Sequence, residues 1–419
     1  MKVKNKDFIL MTINFILCII SILLFYTLEN KISSLPIIGV FIILVATFMM
    51  IKYHNINSIS LLIGIISLIS ISFAYSICFN TYNTAFNWQV PLLQTKSNII
   101  NAKNYLIFIS FLSLSIGKIN FDKENNNQIP KFDYNPLIVI VSILFLLYAL
   151  IFGFDRGTVG TYTSNTNAIY EYALVVFLFA WQYSKNNKLI KSFLIVYAVL
   201  YCVQGLIFGD RSSAFPMILL MLILYSKNNI KMKTVILVGL VGIFAANVID
   251  IFRNSGNLFS ISTIKEAFSR SLFVNTISYS FYGGTQILRY GSVITFQQKI
   301  VHLFHYLLSI FIGGSNKYSL TVIANSSGFI NKGGGMSLNY FYFWGEIFGT
   351  IIFALIIGKI IKYVFSSNYK LSNIFKVTIT IFTIRWFVYY PTAFFRTAIF
   401  VPLICYFVLS IFDKFLKKN

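Results

Sequence analysis

The chain has 419 residues, of which 57% are hydrophobic and 11% charged, with a formal net charge of +22. A soluble domain of this size needs a polar skin that so few charges cannot supply, and a disordered chain or a nucleic-acid-binding module is excluded by the same apolar excess. The basic excess calls for no acidic partner, because a positive-inside bias produces it in a membrane protein.

A helix crossing a bilayer needs roughly 20 apolar residues. Runs of that kind predict twelve spans, at 8–28, 35–51, 57–79, 98–117, 136–154, 167–183, 192–209, 212–226, 234–252, 339–364, 377–391 and 394–412. All are read as helices, since an isolated strand cannot satisfy its backbone in lipid. The first run follows Lys2, Lys4 and Lys6, as in a signal peptide, but it is too long and lacks a small-residue cleavage site. It is therefore expected to stay as the first span. Cys18, Cys78, Cys202 and Cys405 all fall inside apolar runs, with no CxxC, so neither disulfides nor zinc are indicated.

Twenty of the 27 lysines fall in alternate gaps: 2–6, Lys52, 118–131, 185–191, 227–233, 359–376 and 414–418. By the positive-inside rule those gaps and both termini are cytoplasmic. Residues 253–338 then form an outer segment of 86 residues, marked by Gly283–Gly284, Gly313–Gly314 and Gly333–Gly335. Within it, the 13-residue apolar run 300–312 is too short to span and reads as interfacial or re-entrant. A fourteen-span alternative makes spans of 271–292 and 293–312. No internal repeat and no soluble domain is visible, so the chain reads as one integral membrane domain.

The seven arginines break the lysine pattern. Arg156, Arg211 and Arg396 flank outer ends of spans. Arg253, Arg270 and Arg289 lie in the long outer segment, and Arg385 lies within a span near its outer end. Guanidinium stays charged when partly buried and grips phosphate with two parallel hydrogen bonds. Charge at a membrane is costly unless paired, so the set points to an anionic ligand at the outer surface. A lipid-linked pyrophosphate fits that description. The competing reading is internal pairing with Asp155, Glu171, Asp210, Asp250, Glu266 or Glu346. Of the pairs close in sequence, only Asp250 and Arg253 are well spaced for contact along a helix.

His302 and His305 share one face of a helix at that spacing and are candidate bases, with interfacial histidines and a metal pair as alternatives. No HExxH supports the metal. Glu346 closes the run Tyr340-Phe341-Tyr342-Phe343-Trp344-Gly345-Glu346 at the outer start of a span. It is a candidate base or arginine partner. Tyr342 and Trp344 are candidates to stack on sugar rings, against the alternative of an aromatic belt at headgroup level. Glu171 and Arg385 are candidates to pair or to line a cavity. No DxD, Walker A or GxSxG motif is present, so a metal-held sugar diphosphate and ATP-driven transport are not suggested.

Three stretches together resemble a known family. Gly209-Asp210-Arg211-Ser212-Ser213 resembles the Gly-x-Arg outer turn of Wzy-type repeat-unit polymerases of O-antigen and capsule synthesis. The stretch Gly313-Gly314-Ser315-Asn316-Lys317-Tyr318-Ser319, then Gly333–Gly335 and Asn339 through Gly345-Glu346-Ile347-Phe348-Gly349, resembles the end of that family's long outer loop and the span after it. Arg385-Trp386, Tyr390-Pro391 and Arg396 resemble its closing hairpin. The resemblance covers about 200–412, and the related O-antigen ligases share the layout. A second arginine-rich outer loop, frequent in the family, is missing here.

The resemblance implies an all-α, GT-C-like polytopic membrane protein of a bacterial plasma membrane. It implies metal-independent glycosyl transfer with no cofactor. The donor is a growing glycan on undecaprenyl pyrophosphate, and the acceptor is a lipid-linked repeat unit. A chain-length regulator and a flippase are the implied partners besides the bilayer. Arg211, Arg289 and Arg396 are then expected to bind the leaving pyrophosphate. His302, His305 or Glu346 is expected to take the acceptor proton. Arg253 and Arg270 are expected to hold the second substrate, with Arg156, Asp210, Arg385, Tyr342 and Trp344 as further contacts. A flippase for the same lipid-linked glycan is the alternative from another class, and a ligase the near rival.

Overall fold

A computed structural model describes residues 2–27, 35–54, 58–79, 81–83, 89–91, 95–119, 132–157, 165–185, 187–208, 211–226, 230–255, 275–313, 315–329 and 334–416. The chain is a bundle of helices: α1 Lys2–Thr27, α2 Leu35–Tyr53, α3 Ser58–Phe79, α4 Lys96–Ile116, α5 Pro136–Phe152, α6 Ala168–Tyr183, α7 Lys188–Ile207, α8 Arg211–Tyr225 and α9 Met232–Ser255. There follow α10 Asn275–Val293, α11 Phe296–Ile312, the short α12 Leu320–Ser326, α13 Ser337–Ser366, α14 Lys370–Ile381 and α15 Val401–Leu416. By length and composition, six helical stretches among the described residues can cross a bilayer: those at α1, α2, α4, α7, α13, and Ala393–Phe415. Five shorter apolar helices accompany them, within α3, α5, α6, α8 and α9. This is the layout of a multi-pass membrane protein.

Helix starts follow from the sequence. Asn135, Asn167 and Asn187 cap α5, α6 and α7 by accepting from backbone N–H groups of the first turn, and Pro136 opens α5 where no N–H is missed. Thr295 and Gln298 form a reciprocal capping box at the start of α11. Two short antiparallel ladders interrupt the helical pattern: β1 (Thr81–Asn83) with β2 (Gln89–Pro91), and β3 (Phe154–Asp155) with β4 (Asn165–Thr166). Neither was expected, since two- or three-residue ladders leave too little alternation to read.

Helix α4 sits at the centre. It packs most extensively on α13, and also on α1, α2 and α10. Its asparagines share one stripe, and the side-chain amide nitrogens of Asn101 and Asn104 are bonded, although the Asn101 Oδ1 has no partner among the described residues. The Asn101 amide donates to the Phe281 carbonyl at 2.9 Å and to the Thr285 hydroxyl at 3.1 Å. Asn104 donates to the Asn339 amide oxygen at 3.1 Å and accepts from Thr350 at 2.7 Å. Asn339 donates on to the Gly335 carbonyl at 3.1 Å. In lipid, where apolar contact gives helices little reason to associate, such bonds hold them together. Gly284 explains part of the Gly283–Gly284 pair. A Cβ there would lie 2.0 Å from the Asn339 amide nitrogen, so only glycine lets α10 cross this knot.

The stretch expected as one long outer loop is largely helical where described. Helix α10 is not loop: residues 283–288 are buried against the bundle. The run 300–312 lies on α11, which begins four residues earlier than the run, at Phe296.

Two breaks shape the bundle's arginine-bearing end, which the lysine count assigns to the outside. Helix α13 is interrupted at Gly345 and Glu346, and Glu346 has φ +51° and ψ −137°, a conformation side chains other than glycine's rarely adopt. The second break precedes Pro391. Tyr390 N–H bonds the Arg385 carbonyl at 3.2 Å, a widened i→i+5 turn, and a second wide-turn segment, Ala393–Phe400, leads into α15. A proline cannot continue the regular ladder, and turns widened in this way recur at functional sites.

Candidate functional site

The site is built at the N-termini of α6 and α8, against the wide turns around Pro391. Helix α6 is fixed first. The Tyr170 hydroxyl donates to the Tyr201 carbonyl at 3.1 Å, the Tyr201 hydroxyl returns to the Tyr170 carbonyl at 3.0 Å, and the rings stack at 4.1 Å. This reciprocal clasp pins α6 to α7 and sets Glu171 and Tyr172, the next residues. Glu171 lies in the first turn of α6, where a carboxylate complements the helix dipole.

Arg385 is 3% exposed. Its Nη1 pairs with the Glu171 carboxylate. Its Nε donates to the Ser212 carbonyl at 2.9 Å, and Nη2 donates to the hydroxyls of Ser212 at 3.1 Å and Ser213 at 2.9 Å. The guanidinium is thus engaged along its whole edge. The pairing of Glu171 with Arg385 is present, and Arg385, expected as a substrate contact, holds the start of α8 through Ser212 and Ser213. Arg211 is the first residue of α8, immediately before the two clamped serines.

Arg396 stands differently. It is half-buried, hydrogen-bonds the Tyr172 hydroxyl and lies 5.6 Å from the Tyr172 ring centroid. Among the described residues no carboxylate pairs with it. The C-terminal end of α11 faces it at Gly313, whose φ is +107° and where a Cβ would sit 3.5 Å from Arg396 Nη2. Glycine both permits that backbone turn and leaves the guanidinium edge uncovered. Two guanidiniums are therefore carried by the same hairpin, one neutralised and buried, the other open. A planar cation with free donors at a helix-lined surface suits a phosphate.

Other expected contacts lie elsewhere. Arg289 is exposed on α10, donates to Gln286 at 3.4 Å and lies 5.9 Å from the Phe329 ring. Its neighbour Tyr290 stacks on Phe343, which also lies under Lys299 near the start of α11. Arg396 meets the other end of that 17-residue helix, about 20 Å away at 1.5 Å per residue. The structure therefore does not bring Arg289 and Arg396 to one ligand. Arg156 is exposed just past β3. Asp210 and Arg270 lie outside the described residues, as do the side chains of Arg211 and Arg253.

His302 is corrected as a base. The Trp344 Nε1–H donates to its Nδ1 at 3.0 Å, so its Nε2 carries the proton and donates to the Tyr318 carbonyl at 3.1 Å. Both ring nitrogens are engaged by the neutral form, and no lone pair is left to take a proton. Trp344 is corrected with it. It is buried among Tyr306, Tyr340 and Phe341, so no sugar can stack on it. His305 is exposed and stacks on Tyr318 at 5.4 Å, three residues on from the His302 tether.

Glu346 belongs to a second locus. Its side chain is exposed, and among the described residues its carboxylate makes no hydrogen bond or ion pair. Tyr342 lies beside it, half-buried, with Phe25 of α1 at 6.3 Å. Phe25 is also the neighbour of Lys103, whose Nζ lies 3.4 Å from the Phe25 carbonyl and 6.0 Å from its ring. Lys103 was missed in the sequence. The available signal was a lysine inside an apolar span, flanked by Asn98, Asn101 and Asn104. No described contact joins this locus to Arg396.

Among the described residues no three His, Cys, Asp or Glu side chains converge as metal ligands do. No family model, no curated protein and no solved structure matches the chain.

Proposed function

We propose that this protein polymerises lipid-linked oligosaccharide repeat units at the outer face of a bacterial plasma membrane, with undecaprenyl pyrophosphate as the leaving group. In this reading twelve helices cross the bilayer in a GT-C-like arrangement, and both termini are cytoplasmic. The observation that carries it is the open Arg396 guanidinium against Tyr172, next in sequence to the Glu171 that pairs with Arg385 of the α8 clamp. The acceptor hydroxyl attacks the anomeric carbon, the bond to the pyrophosphate oxygen breaks, and negative charge grows on the departing group. Positioned guanidinium donors stabilise that charge. Arg396 supplies the contact, Arg385 acts through Glu171 and the two serines, and Arg211, the residue before those serines, is proposed as the second donor. Of the three candidate proton acceptors, His305 and Glu346 keep unbonded side-chain atoms among the described residues. Arg289 and Lys299 are proposed for a second anionic substrate, and Arg253 and Arg270, whose side chains lie outside what the structure describes, are proposed to join them.

The test is removal of the gene from its host and sizing of the surface glycan, alongside the lipid-linked pool. A ladder that collapses to one repeat unit, restored by the wild-type gene and not by Arg396→Ala, supports a polymerase. Full-length polymer retained on its lipid indicates a ligase. A flippase is the second reading, favoured by Lys103 and the buried asparagine stripe inside α4, polar groups suited to a path through the bundle. Repeat units trapped at the inner leaflet would select it.

A further inference from the structure

Helix α11 has its polarity reversed relative to a helix on a soluble surface. Tyr306, Ser309 and Ile310 are buried against the protein, and the half-buried His302 and Lys299 share that side. The opposite side is apolar and open, with Phe296, Ile300, Phe304, Leu307, Leu308 and Phe311 all exposed. Their order around the helix makes one continuous apolar face on a helix about 25 Å long. Water would not tolerate so large a patch, whereas lipid chains would.

The middle of the helix is fastened to the arginine hairpin. The Tyr306 hydroxyl lies 2.6 Å from the Thr392 hydroxyl and accepts from the Thr392 backbone N–H at 2.9 Å. At its C-terminal end, Phe311 meets Phe400 edge-on at 5.1 Å, so the apolar face runs on into the segment that carries Arg396. Cations mark both ends: Lys299 at one, Arg396 at the other. That arrangement suits a helix lying along the headgroup layer.

We infer that the exposed face of α11 is the lane for one lipid: a polyprenyl chain lies along Phe304, Leu308 and Phe311, and its pyrophosphate is received by Arg396 past the bare Gly313. The charge complementarity is specific, since Arg396 has no carboxylate partner among the described residues and a pyrophosphate offers oxygens to its free edge. The inference rests on the polymerase reading for its choice of lipid. It adds a direction of entry and places lipid recognition on a helix of the long outer segment.

The experiment uses the full chain in phospholipid nanodiscs and a sugar-free polyprenyl pyrophosphate bearing a diazirine along its chain. Photolabelling is mapped by peptide. The expected result is label on the Phe304–Phe311 peptide, displaced by unlabelled polyprenyl pyrophosphate and at least tenfold less well by inorganic pyrophosphate. Arg396→Gln should lower that label at least tenfold while leaving label at Phe8 and Leu144, exposed apolar positions on α1 and α5, unchanged. The double variant Phe304→Ser, Leu308→Ser touches side chains 62% and 40% exposed, so it should leave the fold intact and cut the label severalfold.

Equal label on every exposed apolar helix, indifferent to Arg396→Gln, would overturn the lane. So would equal competition by inorganic pyrophosphate, or a disulfide between two copies carrying Phe304→Cys, which would make the face a dimer contact. The probe has no sugar, so its binding is independent of glycan transfer. Polymer made without α11 labelling sinks the lane alone, and labelling without polymer sinks the polymerase reading alone.

Discussion

The two ends of the bundle treat charge in opposite ways. At the lysine-rich end, Lys118 pairs with Asp7 at 2.7 Å with both side chains well exposed, 44% and 39%. Asn135 meets Asp413 at 2.8 Å at the same end. At the arginine-bearing end, the Arg385–Glu171 pair is withdrawn from solvent and roofed by two serine hydroxyls. The Lys118–Asp7 contact needs only two solvated point charges. Arg385 is built into the protein, where a planar fork with several donors decides the geometry. The difference teaches that the two basic residue types carry separate information in this chain.

The largest effect expected from breaking that contrast is at Arg385. Arg385→Ala leaves Glu171 charged and partly buried and the two serines without their donor, a loss of about 3–5 kcal/mol. Thermal unfolding in detergent should show it as a large drop in Tm. Replacing both partners by methionine should recover more than half of the loss, because an apolar pair leaves no buried charge unmatched, while activity should stay lost since the clamp on α8 is gone. An Arg385→Ala protein as stable as wild type would mean the two ends do not differ.

Arg396→Ala should do the reverse. Its guanidinium is half-open and bonded only to Tyr172 among the described residues, so stability should change by about 1 kcal/mol or less. Polymer yield should fall at least tenfold, read on the glycan gel with the amount of protein held equal. If Arg396→Ala unfolds the protein, its role is structural and the open-site argument fails.

Much of the bundle was legible because the length of an apolar run is a one-dimensional signal. Ten of the twelve apolar runs fall on one helix each, while 377–391 leaves α14 for the first wide turn and 394–412 crosses from the second into α15. The site was legible only in part. Of the two readings open for Glu171 and Arg385, pairing is the one the structure has. The engagement of both His302 nitrogens was not, because Trp344 and Tyr318 reach it from 42 and 16 residues away. Burial of Trp344 likewise depends on α11 folding back onto α13, which no periodicity within 340–346 encodes. Lys103 escaped notice because one charge hardly alters the hydropathy of its span.

A smaller effect is expected where α13 breaks. Glu346 holds φ +51°, so Glu346→Gly should relieve backbone strain of about 1 kcal/mol. Stability should rise slightly and the carboxylate is lost. If Glu346 is the proton acceptor, Glu346→Gly and Glu346→Gln should both lower the rate of polymer formation with little change in the lipid-linked pool bound. If both variants polymerise normally, the role falls to His305.

The lysine end gives the closing test, with a pH arm and a charge arm. His54 follows α2 and bonds the Gly117 carbonyl at 2.8 Å through Nε2, facing Lys362. Burial pushes its pKa down to about 4, with Lys362 adding to the shift and the Gly117 bond opposing it. A ring held neutral in the fold contributes stability that is full above its ordinary 6.5 and is lost as pH falls through about 4. Tm should therefore decline between those values, and His54→Phe should flatten the decline. Asp7→Asn, by contrast, removes an exposed pair worth roughly 0.5 kcal/mol at most, a difference that salt should erase. If Asp7→Asn cost as much as Arg385→Ala, the lysine end would be built like the arginine end, and the separation of lysine as marker from arginine as machinery would fall.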